Sequence, residues 1–412
     1  MKKYCLAVIG VVLLGVLAVG LLAGCGGATT EETTTTVAGQ ATTTTGAGSP
    51  DTTAVASTDT TTKVVGYPEN IYGLFKTMGG AGFDLDKWRA TAAAEKIIAS
   101  HRNEFTNKGM DPADVAYWEA LGVKKEVHDA DDEELKWYSY APAQALAAGN
   151  TAGYPVVFCF ASDGSGFPHL GAKEGFITVR PANPAVPRDG KPPAEGLTPG
   201  RQVVRILDAL EAGGYPIDRS RVYATGMSIG GMASAWAGLE FPEVVAAVAM
   251  HSSLAALNTD ESGLGDIALV IPVAQYTKAM DYGVPTWLAV GDLDMDQLPI
   301  RTEGVVNGLN LWLQVNDCPT RLSLADSLAA QSSTTDPAVK LIGVVGDKTW
   351  TQTIDGVVYH GVDYFRTDAV KMVEIVGVEN QPHWVSAAYP EMAWEFMSRF
   401  SRDAEGNLIV AD

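Results

Sequence analysis

From residue 135 onward, short apolar runs alternate with longer amphipathic stretches. Arg201–Gly214 has apolar residues at helical spacing and glycines at its end, which predicts a helix. Apolar strands separated by helices form a mostly parallel sheet with helices on both faces, so the pattern predicts an α/β fold with its reactive groups at the carboxyl ends of the strands. The predicted strands are Leu135–Ala143, Tyr154–Ala161, Gly175–Ala182, Arg221–Gly226, Val244–Ser253, Val284–Asp292 and Met372–Val378.

Three stretches depart from this alternation. Residues 66–134 read as a small helical region that ends in an acidic connector, Asp129–Glu134, ahead of a catalytic domain at 135–405. Lys348–Tyr364 predicts a β-hairpin that turns at Asp355-Gly356. Ala255–Met280 is a long interval between strands, which we expect to form a lid or part of a pocket wall.

The N-terminal end carries the pattern of an export signal. Lys2 and Lys3 precede an apolar run, Leu6–Leu22, that is short for a membrane span. "LAGC" at Leu22–Cys25 matches the lipobox of bacterial lipoproteins, which implies a signal peptide at 1–24 and lipidation of Cys25. A plain signal peptide or an N-terminal anchor is the alternative. Residues 25–65 are rich in Thr, Ala and Gly, and we expect a disordered tether.

Charge and cysteine content limit the classes of binding partner and the disulfide and metal chemistry that the chain can have. The formal net charge of −20 argues against nucleic acid and against an anionic lipid surface as binding partners. Cys159 and Cys318 remain once Cys5 and Cys25 are assigned to the leader, which excludes a disulfide scaffold but leaves one disulfide possible. The apolar run around Cys159 favours a buried free thiol there. The histidines and cysteines show no metal-ligand spacing, so neither a metal nor another cofactor is expected.

Gly226-Met227-Ser228-Ile229-Gly230 satisfies G-x-S-x-G and stands between a predicted strand and a helix-like run. A strand that reverses into a helix within one turn brings the residues two before and two after the serine close together, so both must be small. Ser228 is therefore the candidate nucleophile. A hydroxyl is a weak nucleophile at neutral pH and needs a base.

The base and its orienting acid are expected after later strands, in the order Ser, Asp or Glu, His. Asp292, Asp294 and Asp296 follow one strand, and the residues alone leave open which of them is the acid and whether they form a solvated turn or a calcium loop instead. His383 follows the last strand and is the expected base. The other histidines are assigned at lower rank: His169 to the substrate pocket, His251 to a supporting position and His360 to the surface or a cross-strand pair.

Acyl transfer also needs backbone N–H groups aimed at the developing oxyanion. One is expected from Ile229, the residue after the nucleophile, and the other from Ala161 or Ser162 in the loop after Tyr154–Ala161.

With these residues in place, the chain resembles the polyhydroxybutyrate depolymerase and feruloyl esterase branch of the α/β-hydrolases from Leu135 to Phe400. The similarity is strongest in "YPIDRSRVYATGMSIGGMASAWAGLEFPEVVAAVAMHSS", and "NLWLQVND" and "HW" match further along. It implies Ser228 as nucleophile, Asp294 as acid and His383 as base. Where the family commonly has His-Gly, this chain has Ala161 and Ser162, which implies a differently built oxyanion hole.

Together these features predict an extracytoplasmic, lipid-anchored serine esterase that acts on a polyester, a feruloyl or acetyl polysaccharide ester, or a small ester. Trp384, beside the base, is expected to line the pocket or to pack against it. A prolyl-oligopeptidase-like peptidase shares the same motif order, and a non-catalytic ligand- or wall-binding lipoprotein is the alternative from another class.

Overall fold

The structure, a computed structural model, describes residues 83–101, 112–128, 135–160, 166–181, 197–254, 257–259, 269–294 and 297–411. All of them belong to the unit Val65–Asp412. The predicted signal peptide at 1–24, the lipid site Cys25, the tether at 25–65 and the connector Asp129–Glu134 lie outside the described residues.

Ten strands form the main sheet, in the order β1-β2-β4-β3-β5-β6-β9-β12-β11-β10. They are β1 (Val123–His128), β2 (Trp137–Pro142), β3 (Tyr154–Phe160), β4 (Ile177–Pro181), β5 (Ile217–Met227), β6 (Ala247–His251), β9 (Thr286–Gly291), β10 (Lys348–Ile354), β11 (Val357–Phe365) and β12 (Lys371–Val378). Two small sheets pair β7 (Leu257–Thr259) with β8 (Leu269–Ile271), and β13 (Phe400–Arg402) with β14 (Leu408–Val410).

The described helices separate these strands along the chain. They are α1 (Leu85–Arg89), α2 (Ala92–His101), α3 (Pro112–Ala120), α4 (Phe167–Glu174), α5 (Pro199–Ala212), α6 (Ile229–Glu240), α7 (Val273–Tyr282), α8 (Glu303–Val315), α9 (Leu324–Ser333), α10 (Pro337–Ile342) and α11 (Tyr389–Met397), with a 3₁₀ turn at Ala143–Leu146.

The six central strands, β4, β3, β5, β6, β9 and β12, are parallel, whereas β1, β2, β10 and β11 run antiparallel to their neighbours at the two edges. Every residue of β6 and β9 is buried. Because successive side chains of a strand point to opposite faces, both faces of the sheet are covered there. The molecule has the α/β-hydrolase fold, which confirms the predicted fold class.

Tyr389 of α11 fixes that helix beneath the carboxyl ends of β5 and β6. Its hydroxyl donates to Ala249 O (3.2 Å) and forms a short hydrogen bond with Thr225 Oγ1. Burial raises the pKa of Tyr389 well above its usual value, so the phenol remains protonated and able to donate.

The edges of the domain differ from the prediction. Val123–His128 lies within the region read as helical, yet it is strand β1 and pairs with β2. Lys125 there is only 3% exposed, and its ammonium lies over the rings of Tyr138 (5.8 Å) and Tyr140 (5.5 Å). Because a lysine occupies this buried position, the sequence lacks the alternation of apolar and polar residues that predicts a strand. At the other end, β14 extends the domain beyond residue 405.

Two local predictions are confirmed. The hairpin of β10 and β11 turns at Asp355 (φ 51°) and Gly356 (φ 82°), the paired positive φ values of a type I′ turn. Cys159 is a buried free thiol, and Cys318 is another. Within the described ranges, no helix is long and apolar enough to cross a membrane.

Candidate active site

Ser228 lies at the sharp turn between β5 and α6. Its backbone has φ 54° and ψ −120°, a conformation that costs energy for a residue with a side chain. A Cβ on Gly226 would lie 2.6 Å from Phe160 O and would collide with the backbone of Gly230. The Ser228 N–H donates to His251 O at 2.9 Å, which fixes the serine backbone against the end of β6.

His383 and Asp294 form a buried hydrogen-bonded pair. Asp294 follows β9 and His383 follows β12, and His383 Nδ1 lies 2.7 Å from Asp294 Oδ1. The two residues are 3% and 0% exposed. Because an ionised carboxylate only accepts hydrogen bonds, Nδ1 carries the proton and Nε2 is left to act as a base.

Asp292 has a different partner. Its Oδ1 accepts from the backbone N–H of Gln381 at 3.3 Å, and burial raises its pKa to about 6. Of the three acids that the sequence left open, the structure therefore places the Asp294 carboxylate on His383. Asp296 lies outside the described residues.

The loops that carry the acid and the base are bonded to each other through their backbones. Asp292 N donates to Val378 O and Leu293 N donates to Gln381 O, each at 3.1 Å. Gly291 allows this close approach, because a Cβ there would lie 2.7 Å from the Gln381 Cβ and would overlap its carbonyl group. The short separation of the loops is thus set by one glycine at the end of β9.

His251 links the nucleophile to the base loop. Its carbonyl accepts from Ser228 N, and its Nε2 accepts from Ser386 N at 3.1 Å, so Nδ1 carries the proton and donates to Ser252 Oγ at 3.0 Å. Full burial lowers the His251 pKa to about 3, which keeps the imidazole neutral at ordinary pH. This matches the supporting position expected for His251.

The oxyanion donors are only partly described. Ile229 is the first residue of α6, where a backbone N–H has no acceptor within its own helix. Ala161 and Ser162 lie outside the described residues. The preceding residue, Phe160, ends β3 directly beside Gly226, so the chain enters that loop next to the nucleophile turn.

The two predicted pocket residues have well-defined neighbours. His169 Nε2 lies 2.7 Å from the Tyr117 hydroxyl, and its ring centroid is 4.7 Å from that of Trp118. Trp384 packs in a small apolar cluster with Trp88. Contact of either residue with substrate stays a prediction.

In the described part of the chain, no group of three potential ligands is placed to hold a metal ion.

Two features of the site had no sequence signal. The bond from Ser386 to His251 joins positions 135 residues apart, and Trp88 lies in a region where the sequence shows no chemical motif.

His360, assigned to the surface or a cross-strand pair, is 3% exposed and hydrogen-bonds across the hairpin to Thr351 at 2.8 Å.

No protein-family model matches the sequence, and no curated protein matches it. Solved structures of similar fold include the following three. Acetyl xylan esterase from Aspergillus awamori is 15% identical, with a TM-score of 0.41 over 67% of this chain and 98% of that one. S-formylglutathione hydrolase from Agrobacterium tumefaciens is 17% identical, with a TM-score of 0.30 over 42% and 76%. Enterochelin esterase from Shigella flexneri is 15% identical, with a TM-score of 0.30 over 47% and 49%. The similarities are remote.

Proposed function

We propose that this protein is a serine hydrolase that cleaves carboxylic esters through an acyl-enzyme intermediate. The observation that carries the proposal is the buried 2.7 Å bond between His383 and Asp294, at the same edge of the sheet as the strained Ser228. A histidine whose tautomer is fixed by a buried carboxylate is the arrangement that makes serine a nucleophile.

In the first half of the reaction, Ser228 Oγ attacks the ester carbonyl carbon while His383 Nε2 accepts the hydroxyl proton. Asp294 stabilises the resulting imidazolium. When the tetrahedral intermediate collapses, the C–O bond to the alcohol breaks and His383 returns the proton to the leaving oxygen. In the second half, water attacks the acyl group in the same way and the carboxylic acid leaves.

The oxyanion is stabilised by the Ile229 N–H and by a second N–H from Ala161 or Ser162. The positive end of the α6 dipole points to the same place. What supports the second donor is the entry of its loop beside Gly226, at the end of β3.

For the substrate, the proposal is a polyester, a feruloyl or acetyl ester of a polysaccharide, or a small ester. Its support is the motif similarity around Ser228 to polyhydroxybutyrate depolymerases and feruloyl esterases. Trp384 and His169 are the proposed pocket residues, since Trp384 directly follows the base.

The proposed location is extracytoplasmic, with the protein held to the cell membrane by lipidated Cys25. Its support is the order of Lys2 and Lys3, the apolar run and "LAGC". Mass spectrometry of the protein from a bacterial membrane fraction tests it: we expect an N-terminal acylated Cys25, and release of the protein in Cys25→Ala. An unmodified N-terminal Met1 would contradict the location.

Hydrolysis of p-nitrophenyl acetate and butyrate by the purified full-length protein tests the activity. We expect turnover by the wild type and loss of at least about 10³-fold in Ser228→Ala. Peptide anilides, tested alongside, separate an esterase from a peptidase. If neither the wild type nor the variant hydrolyses these esters, the result would contradict the proposal and would favour a binding protein.

A further inference from the structure

The short helix α1 buries a single side chain, and that side chain lies against the loops of the acid and the base. Trp88 is 2% exposed, whereas its neighbours Asp86, Lys87 and Arg89 are exposed. A tryptophan buried on an otherwise polar helix must obtain its packing from another part of the chain.

That other part is the base loop on one side. The Trp88 indole Nε1–H donates to Asn380 O at 2.7 Å. Asn380 stands three residues before His383 and has φ 57°, a conformation that a residue with a side chain rarely adopts. The indole thus holds the carbonyl at the point where the chain turns from β12 toward the base.

The acid loop packs against the cluster that contains Trp88. Leu293, which precedes Asp294, and Trp384, which follows His383, both pack against the small cluster of Trp88 and Ala94. The cluster of Trp88 and Ala94 therefore contacts a residue adjacent to the acid and a residue adjacent to the base.

Helix α2 fixes the position of α1. The Thr91 hydroxyl donates to Trp88 O at 2.7 Å and accepts from Ala94 N at 3.2 Å. Lys96 forms an ion pair with Asp355 at 3.6 Å, in the turn between β10 and β11. Helix α2, which is bonded to the Trp88 backbone, therefore also contacts the hairpin of the main sheet.

We propose that Trp88 is a positioning residue for the Asp294–His383 pair, and that residues 83–101 are part of the active-site architecture. The inference rests on the proposed function. Catalytic geometry is sensitive to displacements of about 1 Å, each of which can lower the rate about 10²-fold. The ring holds the two loops in the register that the 2.7 Å acid–base bond requires.

Trp118 provides a matched control. It is also a fully buried tryptophan of the N-terminal region, 0% exposed, but it packs with Val123 and Tyr140 and against the proposed pocket residue His169. An effect transmitted through His169 is expected in KM rather than in kcat. Trp118→Ala tests what the loss of a buried indole does to the fold as a whole.

The experiment compares kcat and KM for p-nitrophenyl acetate in the wild type, Trp88→Ala, Trp88→Phe and Trp118→Ala. We expect kcat to fall about 30-fold or more in Trp88→Ala with KM within about threefold. Trp88→Phe keeps the packing but loses the N–H donor, so an intermediate kcat is expected. At a temperature where all variants are folded, Trp118→Ala should retain kcat.

A second readout does not depend on activity. In the wild type, ¹⁵N-histidine labelling should show the downfield proton of His383 Nδ1–H bonded to Asp294, and this signal should be lost or broadened in Trp88→Ala but kept in Trp118→Ala. An unchanged kcat and signal in Trp88→Ala would overturn the inference, as would equal losses in both alanine variants. An inert wild type would overturn the proposed function alone, because the proton signal would still decide the positioning role.

Discussion

The Asp294 carboxylate has two effects on His383. Its hydrogen bond holds the proton on Nδ1 and leaves Nε2 able to act as a base, and in the proposed mechanism it stabilises the imidazolium that forms when Ser228 is deprotonated. Because the carboxylate is fully buried, its interaction with the imidazolium is screened little by water.

Asp294→Asn should keep the shape of the side chain but favour the wrong tautomer. We expect kcat for p-nitrophenyl acetate to fall by about 10³–10⁴-fold with little change in thermal stability. Asp292→Asn is the control, since Asp292 accepts from the Gln381 backbone, and its loss should stay within about tenfold. Similar losses in the two variants would contradict the assignment of the acid.

At this scale, the sequence could predict the sharp turn at Ser228, because its glycines and the strand before it have one mechanical explanation. It also gave His383 by position after the last strand. The choice among Asp292, Asp294 and Asp296 is a matter of which carboxylate points at the imidazole, and adjacent turn residues carry no such information. The specific bond from Ser386 N to His251 Nε2 was equally invisible, since it joins a backbone atom and a side-chain atom that are far apart in the sequence.

Among the secondary-structure elements, the turn between β5 and α6 has little steric freedom. Gly226→Ala would place a methyl group 2.6 Å from Phe160 O and against the backbone of Gly230. We expect at least about a 10²-fold loss of esterase activity because Ser228 must shift. Gly213→Ala, whose nearest contact would be 3.2 Å, is a control at another turn. Full activity in Gly226→Ala would contradict the strained-turn geometry.

A buried acidic group of β12 faces the antiparallel strands β10 and β11. Glu374 is 5% exposed, and it accepts from Trp350 Nε1 at 3.0 Å and pairs with Lys371 at 2.8 Å, with Asp363 nearby. Burial raises its pKa to about 7, against the attraction of Lys371.

This pKa gives stability a defined pH dependence. Between about pH 4.5 and 7 the folded protein keeps a proton on Glu374 that the unfolded chain has lost, so this group makes stability fall as pH rises, by up to about 1.4 kcal/mol per unit. Glu374→Gln should remove this contribution to the pH dependence of the free energy of unfolding. Urea unfolding of the wild type and the variant at pH 5, 6 and 7.5 measures it, and parallel pH profiles would show that the group does not titrate in this window.

At the element level, the sequence predicted the central strands because their residues are buried on both faces and read as continuous apolar runs. It missed β1, where a lysine lies under aromatic rings, and β13 and β14, which are three residues long. The formation of such short or charged strands depends on contacts with residues that are far away in the sequence, and the local sequence pattern does not show those contacts.

For the molecule as a whole, Arg402 joins the C-terminal strand pair to the sheet. It is 2% exposed and donates to the carbonyl oxygens of Val245, Tyr282, Gly283 and Gly406. The planar guanidinium spreads its donors over a fixed fork that reaches all four carbonyl oxygens, whereas the donors of a lysine ammonium all stand on one nitrogen atom.

Arg402→Lys should therefore leave buried carbonyl groups without a donor. We expect a loss of at least about 2 kcal/mol in the free energy of unfolding, measured by urea denaturation. Arg219→Lys is the control, since Arg219 pairs with Asp208 and Glu211 at the surface and should cost less than about 1 kcal/mol. Equal effects would contradict the structural role of Arg402.

The proposed activity requires Ser228 to be an activated nucleophile. Labelling of the full-length protein with a fluorophosphonate, followed by digestion and mass spectrometry, tests this requirement most directly. We expect one adduct on Ser228 and none in Ser228→Ala. A wild type without an adduct, or with the adduct on another serine, would contradict it.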